Sequence, residues 1–506
     1  MRKKMMALAV AAALAPPAAL AQSSVQIYGA FSVSLEAAEA KGADTSAAPA
    51  GGGSSVRGGN IAGGAYVPAG STTPNVNEPS RTRTQGAGSN VGFRGREDLG
   101  NGLYMGFQAE MAITVAGITP IGVATNGVFT SWRNTGLWLG GRWGETGIGV
   151  WDAPFQVNTT LGTAHAPYGN ASTTMFAGLL GGGVGGPAVG GIFGQDFGQF
   201  CGASGLGATA TSCFQNGFSF IRRPNSVWYQ SPTWAGFRGR VVYGVTSGAT
   251  ANASNDGSPT PGGVKPTLWG VGVTYTLGGL YAGIGWENHK DYITSSARLM
   301  GTNVTTTGAL LASTAGTACA GLGNGWALGG QLAGGGSGAT AACLPTGSAT
   351  AVGLSGDDSN GWNANLRYTF GFGLSIGGYY EWVKWNMDYG NRVGSEVGLV
   401  TQLKRDAWRL DAAYQLGAHT FGIQWGQGRE VKGSATNSSF NGNGTGADVW
   451  IFGYAYSLSK RSSLFAYYTM VDNETNSRAS GIVFNGIGPN AGGDPKYLGV
   501  GMRHLF

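Results

Sequence analysis

Arginine is the residue type whose placement first invites a chemical reading. Arg409 stands among Trp408, Leu410, Ala412 and Tyr414, and Arg503 follows Leu498, Val500 and Met502. Arg94 occupies the same kind of position. Alternate residues of a strand share a face, so these guanidiniums project to one polar side. There they either pair with Asp or Glu, or present a cationic surface to a solute. Nucleophilic and metal chemistry find less support. The four histidines, His165, His289, His419 and His504, form no HExxH motif. A hydrolase needs a nucleophile, a base and an orienting group held together, and no such set is legible. Cys201/Cys213 and Cys319/Cys343 form two local pairs without the short spacing of a zinc site. No phosphate-cradling loop occurs. No cofactor or metal is therefore expected, and the chain is not read as an enzyme.

Composition restricts what could position these arginines. Charged residues make up 11% of the 506, against about 25% in soluble globular proteins. So little charge cannot cover an ordinary wetted surface. The 94 glycines suggest low complexity, but 15 Trp, 19 Tyr and 21 Phe argue for a folded chain, because disordered segments are poor in aromatics. Arg2, Lys3 and Lys4 precede the apolar run Met5 to Leu14, and Ala19-Leu20-Ala21 offers a small-x-small cleavage site. Residues 1–21 read as a secretory signal peptide, with 22–506 as one mature domain. Its loss removes three cations, leaving a formal excess of +3 from the original +6. That mild excess, with no basic run, gives no nucleic-acid footprint.

The mature chain alternates. Val25, Ile27, Phe31, Val33 and Leu35 share one face, and Ser24, Gln26, Ser32 and Ser34 the other. Segments of roughly ten residues recur, the length a tilted strand needs to cross a bilayer. Strands are expected near 23–36, 89–96, 102–114, 132–141, 145–151, 222–231, 236–246, 268–277, 280–289, 361–370, 373–385, 405–416, 419–430, 447–458, 462–472 and 496–506. Short turns alternate with long polar loops at about 37–88, 115–131, 152–221, 247–267, 290–359, 387–404, 431–446 and 473–494. An even strand count with short turns at one rim describes a transmembrane antiparallel β-barrel of about sixteen strands. A closed sheet leaves no backbone group unpaired in hydrocarbon. Trp132, Trp143, Trp228, Trp382, Tyr454 and Tyr456 fall near strand ends or on the apolar face, as an interfacial girdle requires; a sugar-stacking track inside the pore is the alternative. The exported compartment is oxidising, so Cys201–Cys213 and Cys319–Cys343 are expected to staple the third and fifth loops. The third loop carries two acidic residues, Asp152 and Asp196.

Three segments resemble the general porins of β-proteobacteria. Ser89 to Leu103 is similar to that family's second strand, first periplasmic turn and third strand. Arg222-Arg223-Pro224-Asn225-Ser226-Val227-Trp228-Tyr229-Gln230-Ser231-Pro232 is similar to the strand leaving the third loop. Tyr454 to Ser462, with the terminus Gly499 to Phe506, resembles the last turn and strand. The resemblance implies an outer-membrane trimer whose third loop folds inward, passing small hydrophilic solutes and ions by diffusion. It implies Arg94, Arg133 and Arg222 as wall arginines facing the constriction, and Phe506 as the signal read by the barrel-assembly machinery. The bilayer and lipopolysaccharide are the expected surroundings. Val150, Asn90 and Ser32 depart from the family pattern. With so few acids in the third loop, the lumen is expected to be cationic and mildly anion-preferring. The alternatives are a substrate-specific channel and a barrel displaying surface-binding loops.

Overall fold

The computed structural model describes residues 24–42, 77–86, 88–113, 129–161, 222–245, 267–290, 326–328, 343–345, 358–386, 400–430, 432–435, 443–444, 446–475 and 492–506. The expected signal segment, Asp196, Cys201, Cys213 and Cys319 lie outside them. So do the side chains of Trp132, Arg222 and Cys343.

Alternation becomes strand wherever the sequence predicts it. The walls are Ser24–Lys41, Asn90–Gly100, Leu103–Ile113, Thr135–Gly141, Gly144–Asp152, Arg222–Gln230, Phe237–Val245, Thr267–Leu277, Leu280–Lys290, Asp358–Thr369, Leu374–Asn386, Val400–Leu416, His419–Gly428, Ala447–Ser457, Ser462–Asn473 and Asp494–Leu505. Each is antiparallel to its neighbours in chain order. The last pairs with the first, from Ala30↔Leu505 to Lys41↔Asp494, and closes a 16-strand barrel. Among the described residues no helix is long and apolar enough to cross a membrane; the strands do the crossing.

The burial pattern inverts that of a soluble protein. Ile27, Ile148 and Met502 are exposed outward, whereas Ser34, Glu36 and Gln424 are buried on the inner side. Lipid is the solvent that makes this arrangement stable. Outward aromatics gather towards the rims: Trp143 stacks on Tyr229, and Trp425 on Trp450. Of the expected girdle residues, Tyr454 meets Phe421 at 5.3 Å and Tyr456 meets His419 at 5.0 Å. Short connections form one rim. The tightest, Gly100-Asn101-Gly102, holds three successive residues at positive φ of 85°, 53° and 79°, a conformation open to Gly and tolerated by Asn.

Three outer extensions correct the sequence reading. Glu78–Gly86 continues the second wall, Phe129–Trp132 the fourth and Lys432–Ala435 the thirteenth. Ser24–Lys41 shows how: it pairs with Asn90–Gly100 through Ser24–Ala30 and with Glu78–Gly86 from Val33 onward. Glu78-Pro79-Ser80-Arg81-Thr82-Arg83-Thr84 was expected as loop because both of its faces are polar. Alternation reports contact with lipid, while hydrogen-bonded pairing continues above it. A second correction concerns 152–221 and 290–359, expected as loops. The first begins with helix Pro154–Leu161, and the second contains the hairpin Trp326–Leu328 with Cys343–Pro345.

Candidate pore constriction

The helix is the inward-turning part of the third loop. It leaves the fifth wall and rests on the inner face of Thr267–Leu277, Leu280–Lys290 and Asp358–Thr369. That face is made to receive it. Gly270, Gly272, Gly283 and Gly285 hold inner positions, and a Cβ on Gly272 would stand 2.6 Å from Cβ of Pro154. One on Gly283 would stand 2.6 Å from Asn158 Oδ1. Next to the glycines, Asn363 donates from Nδ2 to the Phe155 carbonyl at 2.8 Å. Asn158 donates to Asn363 Oδ1 at 3.3 Å, and Asn365 donates to the Asn158 carbonyl. Phe155 and Asn158 are buried as a result. Two backbone carbonyls of a short helix thus find donors from the wall, as buried polar groups must.

About half a circumference away, the lumen face is crowded with charge. Tyr28 donates to Glu110 Oε2 at 2.9 Å, and the Arg133 guanidinium engages Glu110 Oε1. Arg94 lies over the Tyr28 ring at 4.9 Å and donates to Gln26 at 2.9 Å. Further up the same wall, Arg83 binds Glu36 at 2.7 Å, and Tyr467 donates to that carboxylate at 2.5 Å.

The remaining expected site residues separate. Arg409 is on the lumen side but fully buried, 3.2 Å from Asp411 and 5.2 Å from the Tyr379 ring centre. It belongs to a network, since Tyr379 donates to Glu381 at 2.7 Å and receives Asn363. Arg503 pairs with Ser32 across the seam and with Ser463 on the preceding wall, with Nε buried and no hydrogen-bond partner. Asp152, expected to open the third loop, instead ends the fifth wall, opposite Arg222 in register, and accepts from Asn134 at 2.8 Å. Pairing continues one residue further than the apolar pattern, for the reason given above. The described inward segment, Pro154-Phe155-Gln156-Val157-Asn158-Thr159-Thr160-Leu161, therefore has no charged side chain at all.

Sequence reasoning missed the receiving face. A glycine at every second position, as in Gly270/Gly272 and Gly283/Gly285, was the available signal, since glycine in a strand marks close approach of another backbone. It also misassigned Trp228, placed with the girdle. Trp228 faces the lumen, buried against Trp138 and Trp151. Among the described residues no group of His, Cys, Asp and Glu could hold a metal ion. The arrangement is a closed wall, an inward helix and fixed charges along a passage, which suits passage rather than turnover.

Comparison with known proteins agrees. No curated protein sequence matches the chain. Among solved structures, the anion-selective porin from Comamonas acidovorans superposes with a TM-score of 0.53 at 19% identity, covering 96% of this chain and 100% of that one. Salmonella typhi OmpF in complex with daunomycin gives 0.50 at 11% identity, covering 96% and 98%. These likenesses show the fold. A family model described as Gram-negative porin matches residues 7–384 and 345–476, and the chain belongs to that family of outer-membrane passive diffusion channels.

Proposed function

We propose that the channel passes small hydrophilic solutes and ions with a mild preference for anions, set by lumen arginines such as Arg94 and Arg96 that meet neutral partners. The supporting observation is the set of partners these arginines have on a lumen face where some carboxylates are held by cations and others, Asp152 by Asn134 and Glu381 by Tyr379, by neutral donors. Among the described residues, Glu36, Glu110 and Asp411 are each held by an arginine, and Glu145 has Arg238 at 4.0 Å. Arg94 instead meets Gln26, and Arg96 lies 3.6 Å over Tyr104, while Arg240 donates to Gln230 within the field of Asp152 and Glu145. The uncharged helix adds no carboxylate opposite them. Fixed charge lining a confined passage raises the local concentration of counter-ions. Reversal potentials across planar bilayers in a potassium chloride gradient test this reading. The expected sign is chloride-favouring and weakens with rising salt as screening shortens; a potassium-favouring potential overturns it.

The reading extends to assembly and export. The barrel works as a homotrimer, as the family resemblance implies, and an oligomer surviving mild detergent is the expected result. Residues 1–21 direct export and are removed after Ala21, so N-terminal sequencing of the membrane form should begin at Gln22. Lipopolysaccharide surrounds the outer half of the wall, and Phe506 serves recognition by the assembly machinery.

A further inference from the structure

The lumen contains a feature that diffusion alone does not require. Trp151 stacks on Trp228 with ring centres 4.8 Å apart and planes 17° apart, and Trp138 meets both at 5.5 and 6.1 Å. All three lie on the lumen side, because Leu137, Ile148 and Val227 of the same walls are exposed to lipid. Inner glycines make room for them: Gly106 lies against the Trp138 ring and Gly147 against that of Trp228. Trp228 is 2% exposed, whereas Trp138 and Trp151 remain part-exposed. The cluster sits at the root of the inward helix, since Trp151 and Asp152 directly precede Ala153 and Pro154.

Its surroundings are polar and of mixed character. Asp152 accepts from Asn134 at 2.8 Å, Arg240 reaches the Asp152 carbonyl at 3.4 Å, and Gln230 accepts from Arg240 at 3.1 Å. Carboxylate, amide and guanidinium groups thus flank a flat indole surface. A pyranose ring offers what matches this: one face of C–H bonds for the π surface, with hydroxyls round the edge that both donate and accept. An aromatic anion would match the guanidinium but set its charge beside Asp152.

We propose that Trp151, backed by Trp228 and Trp138, is a stacking platform that weakly binds pyranose sugars as they pass. The inference rests on the channel reading, and one recording separates the two. Single-channel current is measured with maltotriose, and separately with benzoate, added to the bath. Maltotriose is expected to reduce the current saturably in the native trimer. In Trp151→Ala the apparent affinity should fall about threefold to tenfold, the weight of one aromatic contact, while Trp143→Ala at the rim leaves it unchanged. If Trp151→Ala fails to insert, Trp151→Phe should give an intermediate fall. An open channel that maltotriose does not block, block equal in native protein and Trp151→Ala, or block by benzoate alone overturns the platform. Absence of any current overturns the channel reading instead.

Discussion

Ser24–Lys41, Asn90–Gly100 and Leu103–Ile113 fill their share of the lumen with long side chains, among them Tyr28, Arg94 and Glu110. Thr267–Leu277 and Leu280–Lys290, across the barrel, present Gly270, Gly272, Gly283 and Gly285 and give the same space to a helix. Both walls turn apolar side chains outward and pair antiparallel with their neighbours. The difference that decides the lumen lies in the inner-facing residues of each strand. A barrel wall can thus supply charge to the passage or supply a seat for the segment that narrows it, and here the two tasks fall to opposite sides.

Breaking the seated side should have the largest effect. Arg409→Leu strands Asp411 without its cation beneath the network that reaches Asn363, and loss of one partner of a buried pair costs about 3–5 kcal/mol. A markedly lower melting temperature of the folded barrel is expected; a change within error would show that this network does not support the wall. Gly272→Phe forces a ring where Pro154 lies, at about 1–3 kcal/mol of overpacking. The helix should lift, read as larger single-channel conductance together with new protease cleavage near 154–161. Unchanged conductance would mean that the helix does not narrow the pore.

The charged side should respond electrically rather than structurally. Arg94→Gln removes a cation that has only neutral partners and should move the reversal potential towards potassium. Glu110→Gln removes a carboxylate and should move it the other way. Equal shifts of one sign would contradict the proposed control of ion preference by lumen charge. The smallest effect belongs to Tyr28→Phe, which deletes one hydrogen bond to Glu110. It should lower stability by about 1 kcal/mol or less, with conductance and ion preference retained.

The same contrast explains what could be read from the sequence. Val25, Ile27 and Leu35, or Leu498, Val500 and Met502, announce their strands because lipid demands an apolar side chain at every second position. Short turns such as Gly100-Asn101-Gly102 announce themselves through backbone conformation. The extension at Glu78–Gly86 carried no such mark, because in water a paired strand needs no apolar face. The seat for the helix was marked by glycines, which in a chain with 94 of them resemble those of the loops. Trp228 was placed on the wrong side of the wall because residue type was weighed above parity. Val227 and Tyr229, its outward neighbours, would have corrected it.

One junction in the barrel differs from all the others. Every wall but one lies beside the next in the chain, so each can join its neighbour as it arrives. The junction of Ala30 with Leu505, continued by the Gly29 and Phe506 peptide groups at 3.1 and 3.2 Å, must wait until both ends of a very long thread are in place. Without it, two strand edges would carry unpaired backbone groups, which hydrocarbon does not tolerate. A ribbon missing its last segment is therefore not a smaller hole but an unsealed one.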